Sequence, residues 1–217
     1  GVLLMKYIEV NNYTKIIKGM TVLDNVNLTL EKGSISLIVG GNGSGKTMLL
    51  RALSGLIFPT SGEILIDGKK MIFNEKFPVD IGICIEQNGM QSNISGFENL
   101  AYLANINKII DKEEILRYMK LFDIYRYKDM KFKKYSLGMK KKLALIQAVM
   151  ENQELMIFDE PLNGLDEKSI DVFVKLLEEE KAKGKTIIIA THKQNIFENI
   201  LDRVFEMYNG RLKRIDG

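Results

Sequence analysis

The hydrophobic and polar positions switch period several times along the chain. Residues 7–12 and 22–30 alternate partially, as strands with one face covered do, and the turn Glu31-Lys32-Gly33 follows the second of them. Residues 34–39 form a short apolar strand that runs into glycines, and a helix is expected from Lys46 to about Leu53. Residues 55–62, with Pro59, read as a loop, followed by strands over 63–66 and 81–85. From Gly96 to Met150 the pattern becomes helical. Asp111 is placed to cap a helix reaching Phe122, on which Ile115, Met119 and Phe122 share a face, and another helix begins near Gly138. Strands resume over 155–158, 186–191 and 203–207, with a helix carrying Ile170, Phe173, Val174 and Leu177 on one side between the first two. An all-helical stretch between strands predicts an α/β core with an inserted helical subdomain, roughly 88–150, within one domain spanning 1–217.

Bulk properties narrow the possibilities. A chain of 217 residues that is 46% hydrophobic can bury one sizeable core. Its 31 basic and 28 acidic residues nearly balance, at a net +3, so charge gives no case for a nucleic-acid surface. The lone Cys84 forms no internal disulfide, lies among apolar strand residues and suits a reducing compartment. No signal peptide and no apolar run of bilayer-spanning length is seen, so membrane association is expected through a partner. Met5-Lys6 has the form of a native start.

Two segments carry chemistry. Gly40-Gly41-Asn42-Gly43-Ser44-Gly45-Lys46-Thr47 fits G-x-x-x-x-G-K-[ST], with an apolar strand before it and a helix after it. Glycines let successive backbone N–H groups turn towards phosphate oxygens, and the helix N-terminus adds partial positive charge. Lys46 supplies a mobile charge for the β and γ phosphates, and the Thr47 hydroxyl is a Mg²⁺ ligand. Lys46 is expected in a solvent-facing loop, where its loss would leave stability unchanged. The second segment is the apolar strand 155–158, delivering Asp159 and Glu160 at its tip. Adjacent buried carboxylates are costly unless a cation or water meets them. In the presence of Mg²⁺·ATP, Asp159 would hold the metal and Glu160 would polarise the attacking water.

Further segments make the chain resemble one family. Tyr135-Ser136-Leu137-Gly138-Met139-Lys140 is similar to the signature L-S-G-G-Q of ABC transporter ATPases, just ahead of the acidic strand. Thr191-His192 follows an apolar strand as the family's switch histidine does, and Pro161-Leu162-Asn163-Gly164-Leu165-Asp166 looks like its D-loop, with Asp166 also placed as a helix cap. The likeness runs from Val22-Leu23-Asp24 to Asn209-Gly210-Arg211. It implies a phosphate-loop NTPase core of ABC ATPase type, with an antiparallel β subdomain and an inserted α-helical subdomain. It also implies ATP hydrolysis with Mg²⁺, His192 acting beside Glu160, and a separate transmembrane permease subunit at the inner face of the cell membrane. Two copies would close head to tail, with Ser136 and Gly138 of one facing the γ-phosphate held by Lys46 of the other.

The sequence also departs from the family pattern. Leu137 and Met139 replace a glycine and the glutamine of the signature, and the form S-L-G-M-K is similar to drug, bacteriocin and bacitracin-type exporters. That branch often carries more chain at its C-terminus. At the Q-loop, Glu86 stands where glutamine is usual and Gln87 follows, so either is a candidate for reaching Mg²⁺ or water. Lys140, Lys141 and Lys142 sit in the first turn of the signature helix, where cations oppose the helix dipole; they read either as solvated lysines or as an attraction for nucleotide. Met90, Ile94, Phe97 and Tyr102 are candidates for lining a groove that takes the membrane partner. The family's adenine-stacking position falls on Ile17, and Tyr13 is the nearest aromatic. The expectation is that the base rests on aliphatic surface near Ile17 and that ATP and GTP bind alike. A non-transport member of the family and a phosphate-loop kinase are the competing readings; the signature and His192 have no role in a kinase.

Overall fold

The computed structural model describes residues 5–72, 75–85 and 89–215. Strands β1 (Lys6–Ile17) and β2 (Met20–Glu31) form a long hairpin, joined by β4 (Ser61–Ile66) and the short β5 (Lys69–Lys70) in an antiparallel sheet ordered β2-β1-β4-β5. A second sheet is ordered β10-β9-β3-β8-β7-β6. Its parallel members are β3 (Ile35–Val39), β6 (Ile81–Cys84), β7 (Leu155–Asp159), β8 (Thr186–Ala190) and β9 (Arg203–Tyr208), with β10 (Arg211–Arg214) antiparallel at the edge. The helices are α1 (Lys46–Leu53), α2 (Gly96–Asn107), α3 (Lys112–Leu121), α4 (Leu137–Val149) and α5 (Glu167–Ala182).

Every residue of β7 and β8 is buried. Both faces of a parallel sheet are covered, which is why these strands read as unbroken apolar runs. Successive side chains still point to opposite faces and join two separate cores. Leu155 and Ile157 of β7 and Ile188 of β8 pack with α1 and the antiparallel sheet through Leu49, Leu50, Val10 and Tyr13. Met156, Phe158, Ile187 and Ile189 pack with α4 and α5 through Leu145, Val149, Phe173 and Leu177. The α4 backbone lies so close to β6 that a methyl on Gly82 would sit 1.8 Å from the Ala148 carbonyl oxygen.

The helical stretch is α2, α3 and α4 packed on one another, with 3-10 turns at Tyr125–Tyr127 and Phe132–Lys134. Ser95 and Glu98 form a reciprocal capping box at α2, and Asp111 caps α3 as the sequence predicts. The first strand differs from expectation. It continues to Ile17 and includes Tyr13, because Asn12 takes φ 48° and the pairing with β2 shifts register between Val10 and Tyr13. Such a bulge breaks the two-residue alternation by which a strand is read.

Candidate functional site

The glycine-rich loop joins the C-terminal end of β3 to α1. Gly40, Gly43 and Gly45 take φ of 155°, 74° and 111°, backbone that side chains rarely adopt. A Cβ on Gly40 would fall 2.3 Å from the Met207 carbonyl oxygen. The loop is pinned from outside by the turn between β9 and β10, where Gly210 N–H donates to Ser44 O (2.8 Å) and Asp24 N–H donates to Gly210 O (2.8 Å). Among the described residues, α2, α3, α4 and α5 all receive a side-chain cap, from Ser95, Asp111, Ser136 and Asp166, whereas α1 has none. An uncapped helix N-terminus keeps its donors for an anion.

Beside it lies a cavity of about 510 Å³. Met20, Thr21, Val22, Asn42 to Met48, Asp159, Glu160, Asn209 and Gly210 line it. Lys46 is not the solvent-facing side chain expected from sequence. It is 7% exposed, and its Nζ donates to Gly40 O (2.7 Å) and Gly41 O (3.0 Å), bridging the loop from within.

The acid pair stands opposite. Thr47 Oγ1 donates to Asp159 Oδ2 at 2.6 Å. Asp159 Oδ1 and the Ser44 hydroxyl are buried with no hydrogen-bond partner. Burial pushes the Asp159 carboxyl above the usual carboxylate range, against the Thr47 bond, and the neighbouring Glu160 charge adds to the rise. A carboxylate oxygen buried without a partner next to a hydroxyl fits a divalent cation. Among the described residues no cluster of three or more His, Cys, Asp or Glu could hold one, so a cation here would take its other ligands from phosphate oxygens and water. Glu86 and Gln87, the Q-loop candidates, lie outside the described residues.

Glu160 is held in the left-handed region at φ 42°. Its Oε2 accepts from Thr191 Oγ1 (3.0 Å), and its Oε1 lies 3.0 Å from His192 Nδ1. The structure thus joins the three residues that sequence placed on two strand ends. Sequence reasoning gave Thr191 no role; a hydroxyl at the buried end of an apolar strand, next to a candidate histidine, was the available signal.

Leu137, Lys140 and Lys141, in and beside the signature segment, line a second cavity with Asp159 and Glu160. Ser136 opens α4, its Oγ accepting from Met139 N–H at 3.2 Å, and it is exposed, as is Leu137 at 74%. Gly138 abuts the D-loop, where an added Cβ would sit 2.6 Å from Gly164 O. Within this chain Ser136 and Gly138 do not line the cavity at Lys46. The three lysines are not simply solvated: Lys140 Nζ lies 5.5 Å from the Phe132 ring centre, Lys141 Nζ donates to Asp159 O, and Lys142 Nζ pairs with Asp166.

Of the groove candidates, Met90 and Tyr102 border a depression of about 220 Å³ with Gln91, Asn99 and Leu103. Ile94 and Phe97 are half-buried and do not border it. Tyr13 is 1% exposed, its hydroxyl donating to Ile57 O (3.1 Å), and burial pushes its phenol up to about 12. It offers no face to a base. Ile17 lies across the hairpin from Met20, and it is Met20, 68% exposed, that lines the cavity.

Comparison with known proteins gives the same picture. The family model for ABC transporters matches residues 23–163. The ABC transporter ATP-binding protein YybJ of Bacillus subtilis is 43% identical over 206 residues, covering 95% of this chain and 94% of its own length. The bacitracin transport ATP-binding protein BcrA of Enterococcus faecalis is 35% identical over 215 residues, 97% of this chain and 69% of its own. The structure superimposes on the dimeric bacterial ABC transporter cassette MJ0796 with a TM-score of 0.85 at 26% identity, covering 97% of this chain and 99% of that one. With a glycine loop on an uncapped helix, an acid pair facing it and relatives matching 95% or more of its length, the chain belongs to the ABC transporter family, as one of its ATP-binding, ATP-hydrolysing subunits.

Proposed function

We propose that the chain powers an exporter of a peptide-like substrate, acting at the cytoplasmic face of a membrane through a separate transmembrane subunit. The single observation that carries the ATPase part is Glu160, fixed by Thr191 and His192 and facing the loop that Lys46 bridges from within. The exporter part rests on likeness to BcrA, a bacitracin transport protein, and on the segment Ser136-Leu137-Gly138-Met139-Lys140. Among the described residues no helix is long and apolar enough to cross a membrane.

The residues divide the work. The loop from Gly40 to Thr47 wraps the phosphates, and Lys46 exchanges its carbonyl partners for the β and γ oxygens. Thr47 and Asp159, with Glu86 or Gln87, would hold Mg²⁺, which would supply positive charge to the phosphates. Glu160 takes the proton of the attacking water, while Thr191 and His192 hold its carboxylate in place. A second copy, placed as in a head-to-tail dimer, brings Ser136 and Gly138 over the γ-phosphate. Helices α2, α3 and α4 form the helical part of this one domain, and Met90 and Tyr102 are its candidate contacts with the membrane subunit.

Transport coupling is tested by co-expression with a membrane protein encoded beside this chain, carrying about six apolar spans of roughly 20 residues. The two proteins should purify together, and a bacitracin-like peptide should raise the complex's ATP hydrolysis several-fold. Neighbouring genes without apolar spans, or hydrolysis indifferent to such peptides, would contradict the exporter reading.

The cavity lining makes a second expectation. Among the described residues no aromatic ring lines the cavity, so phosphate contacts dominate affinity and the base rests on Met20 and Val22, with Ile17 paired across the hairpin from Met20. Fluorescence titration should give ATP and GTP affinities within a few-fold of each other. Met20→Ala should weaken both equally, Ile17→Tyr should tighten both several-fold, and Tyr13→Phe should change neither. Base stacking on an aromatic contributes about 1–3 kcal/mol elsewhere, so an Ile17→Tyr variant that binds neither nucleotide more tightly would show that the base does not rest near Ile17.

A further inference from the structure

Lysines near the start of α4 need a reason. Lys140 closes its first turn, where a cation opposes the helix dipole, and Lys142, in the next turn, is 9% exposed, a burial that lysine rarely tolerates without a partner. The partners show a pattern. Lys141 Nζ donates to the backbone carbonyl of Asp159 at 3.2 Å. Its neighbour Lys142 reaches the carboxylate of Asp166 at 3.0 Å. Asp159 and Asp166 are the two ends of the segment that holds Glu160 and the D-loop. Between them, Gly138 lies against Gly164 closely enough that a Cβ would clash. Asp166 is itself fixed, its Oδ1 accepting from Ser169 N–H (2.9 Å) and Ser169 Oγ (2.8 Å). Bonds from Ser169 and then from Lys142 hold its carboxyl well below the usual range.

We infer that Lys141 and Lys142 are positioning residues: they fasten both ends of the segment from Asp159 to Asp166 onto the helix that Ser136 opens. This rests on the ATPase reading and goes beyond it. Glu160 serves the nucleotide bound to its own chain, whereas Ser136 serves the nucleotide of the second copy. The two lysines make these groups one body, so that closure over one ATP sets the geometry at the other.

Kinetics of Lys142→Met, Lys142→Arg, Asp166→Asn and the Met/Asn double variant test this, with melting curves for each. Asparagine caps helices as well as aspartate does, so Asp166→Asn removes the ion pair and keeps the cap. ATP affinity of the monomer, measured without Mg²⁺, should stay within about twofold of wild type, because the loop at Lys46 is untouched. The kcat of Lys142→Met should fall about tenfold, the scale expected when a catalytic group is displaced by a fraction of an ångström. Asp166→Asn should fall similarly, the double variant no further than either single one, and Lys142→Arg should keep most of the activity. Wild-type kcat in Lys142→Met, multiplying losses in the double variant, or no rescue by arginine would overturn the inference. If Lys142→Met does not fold, Asp166→Asn and Lys142→Arg decide by the same criteria. Absence of ATP hydrolysis by the wild-type chain, alone and with its membrane subunit, would instead overturn the ATPase reading and this inference with it.

Discussion

Lys46→Ala should abolish detectable ATP hydrolysis and also lower stability. The first effect follows from charge: without the ammonium, the β and γ phosphates are left under-neutralised as the bond to the γ-phosphate breaks. The second follows from burial. Lys46 bridges the carbonyls of Gly40 and Gly41 from a position 7% exposed, so alanine removes two hydrogen bonds from a loop of strained glycines. Bonds to a charged donor contribute about 1.5–3 kcal/mol, and relief from burying the ammonium offsets part of this, leaving a net loss of about 1–2 kcal/mol. For a chain of this length that is a fall in melting temperature of about 2–8 °C. Phosphate release and thermal melting measure the two effects. Wild-type turnover would refute the role of Lys46, and an unchanged melting temperature would refute the bridge.

Glu160→Gln should reduce hydrolysis by about a hundredfold or more, the range attributed to a general base. Glutamine has nearly the same shape. Its amide oxygen can still accept from Thr191 Oγ1, and its NH₂ can face His192, so the strained backbone at φ 42° keeps its support. What it cannot do is take a proton from water. Nucleotide affinity should therefore remain while turnover stops. Thr191→Ala provides a comparison: it leaves the carboxylate but frees one oxygen, and it should lower kcat less than Glu160→Gln does.

Much of this site was legible before the fold was known. The glycine loop, Asp159 with Glu160, and Thr191-His192 each follow an apolar strand, and parallel strands deliver their C-terminal ends to one edge of a sheet. The cap residues Asp111 and Asp166 were legible for the same local reason. The burial of Lys46 was not, because a lysine's position in sequence does not say whether its four-carbon stem turns outwards or back over its own loop. Nor were the partners of Lys141 and Lys142, which depend on how α4 lies across β7. The strands β5 and β10 were missed because Lys69–Lys70 and Arg211–Arg214 are short, polar edges with no alternation to read. The length of β1 was hidden by the bulge at Asn12, and with it the fact that Tyr13 belongs to the core.

The behaviour of Glu160→Gln in solution tests the paired mechanism most directly. Two copies should close over two ATP molecules, and in this variant the nucleotide is not consumed, so it should hold the pair together by mass action. Size-exclusion chromatography at tens of micromolar protein, about the range where weak pairs assemble, separates the outcomes. A dimer with Mg²⁺·ATP, and a monomer with ADP or without nucleotide, is the predicted result. A monomer under every condition would contradict self-association by this chain alone.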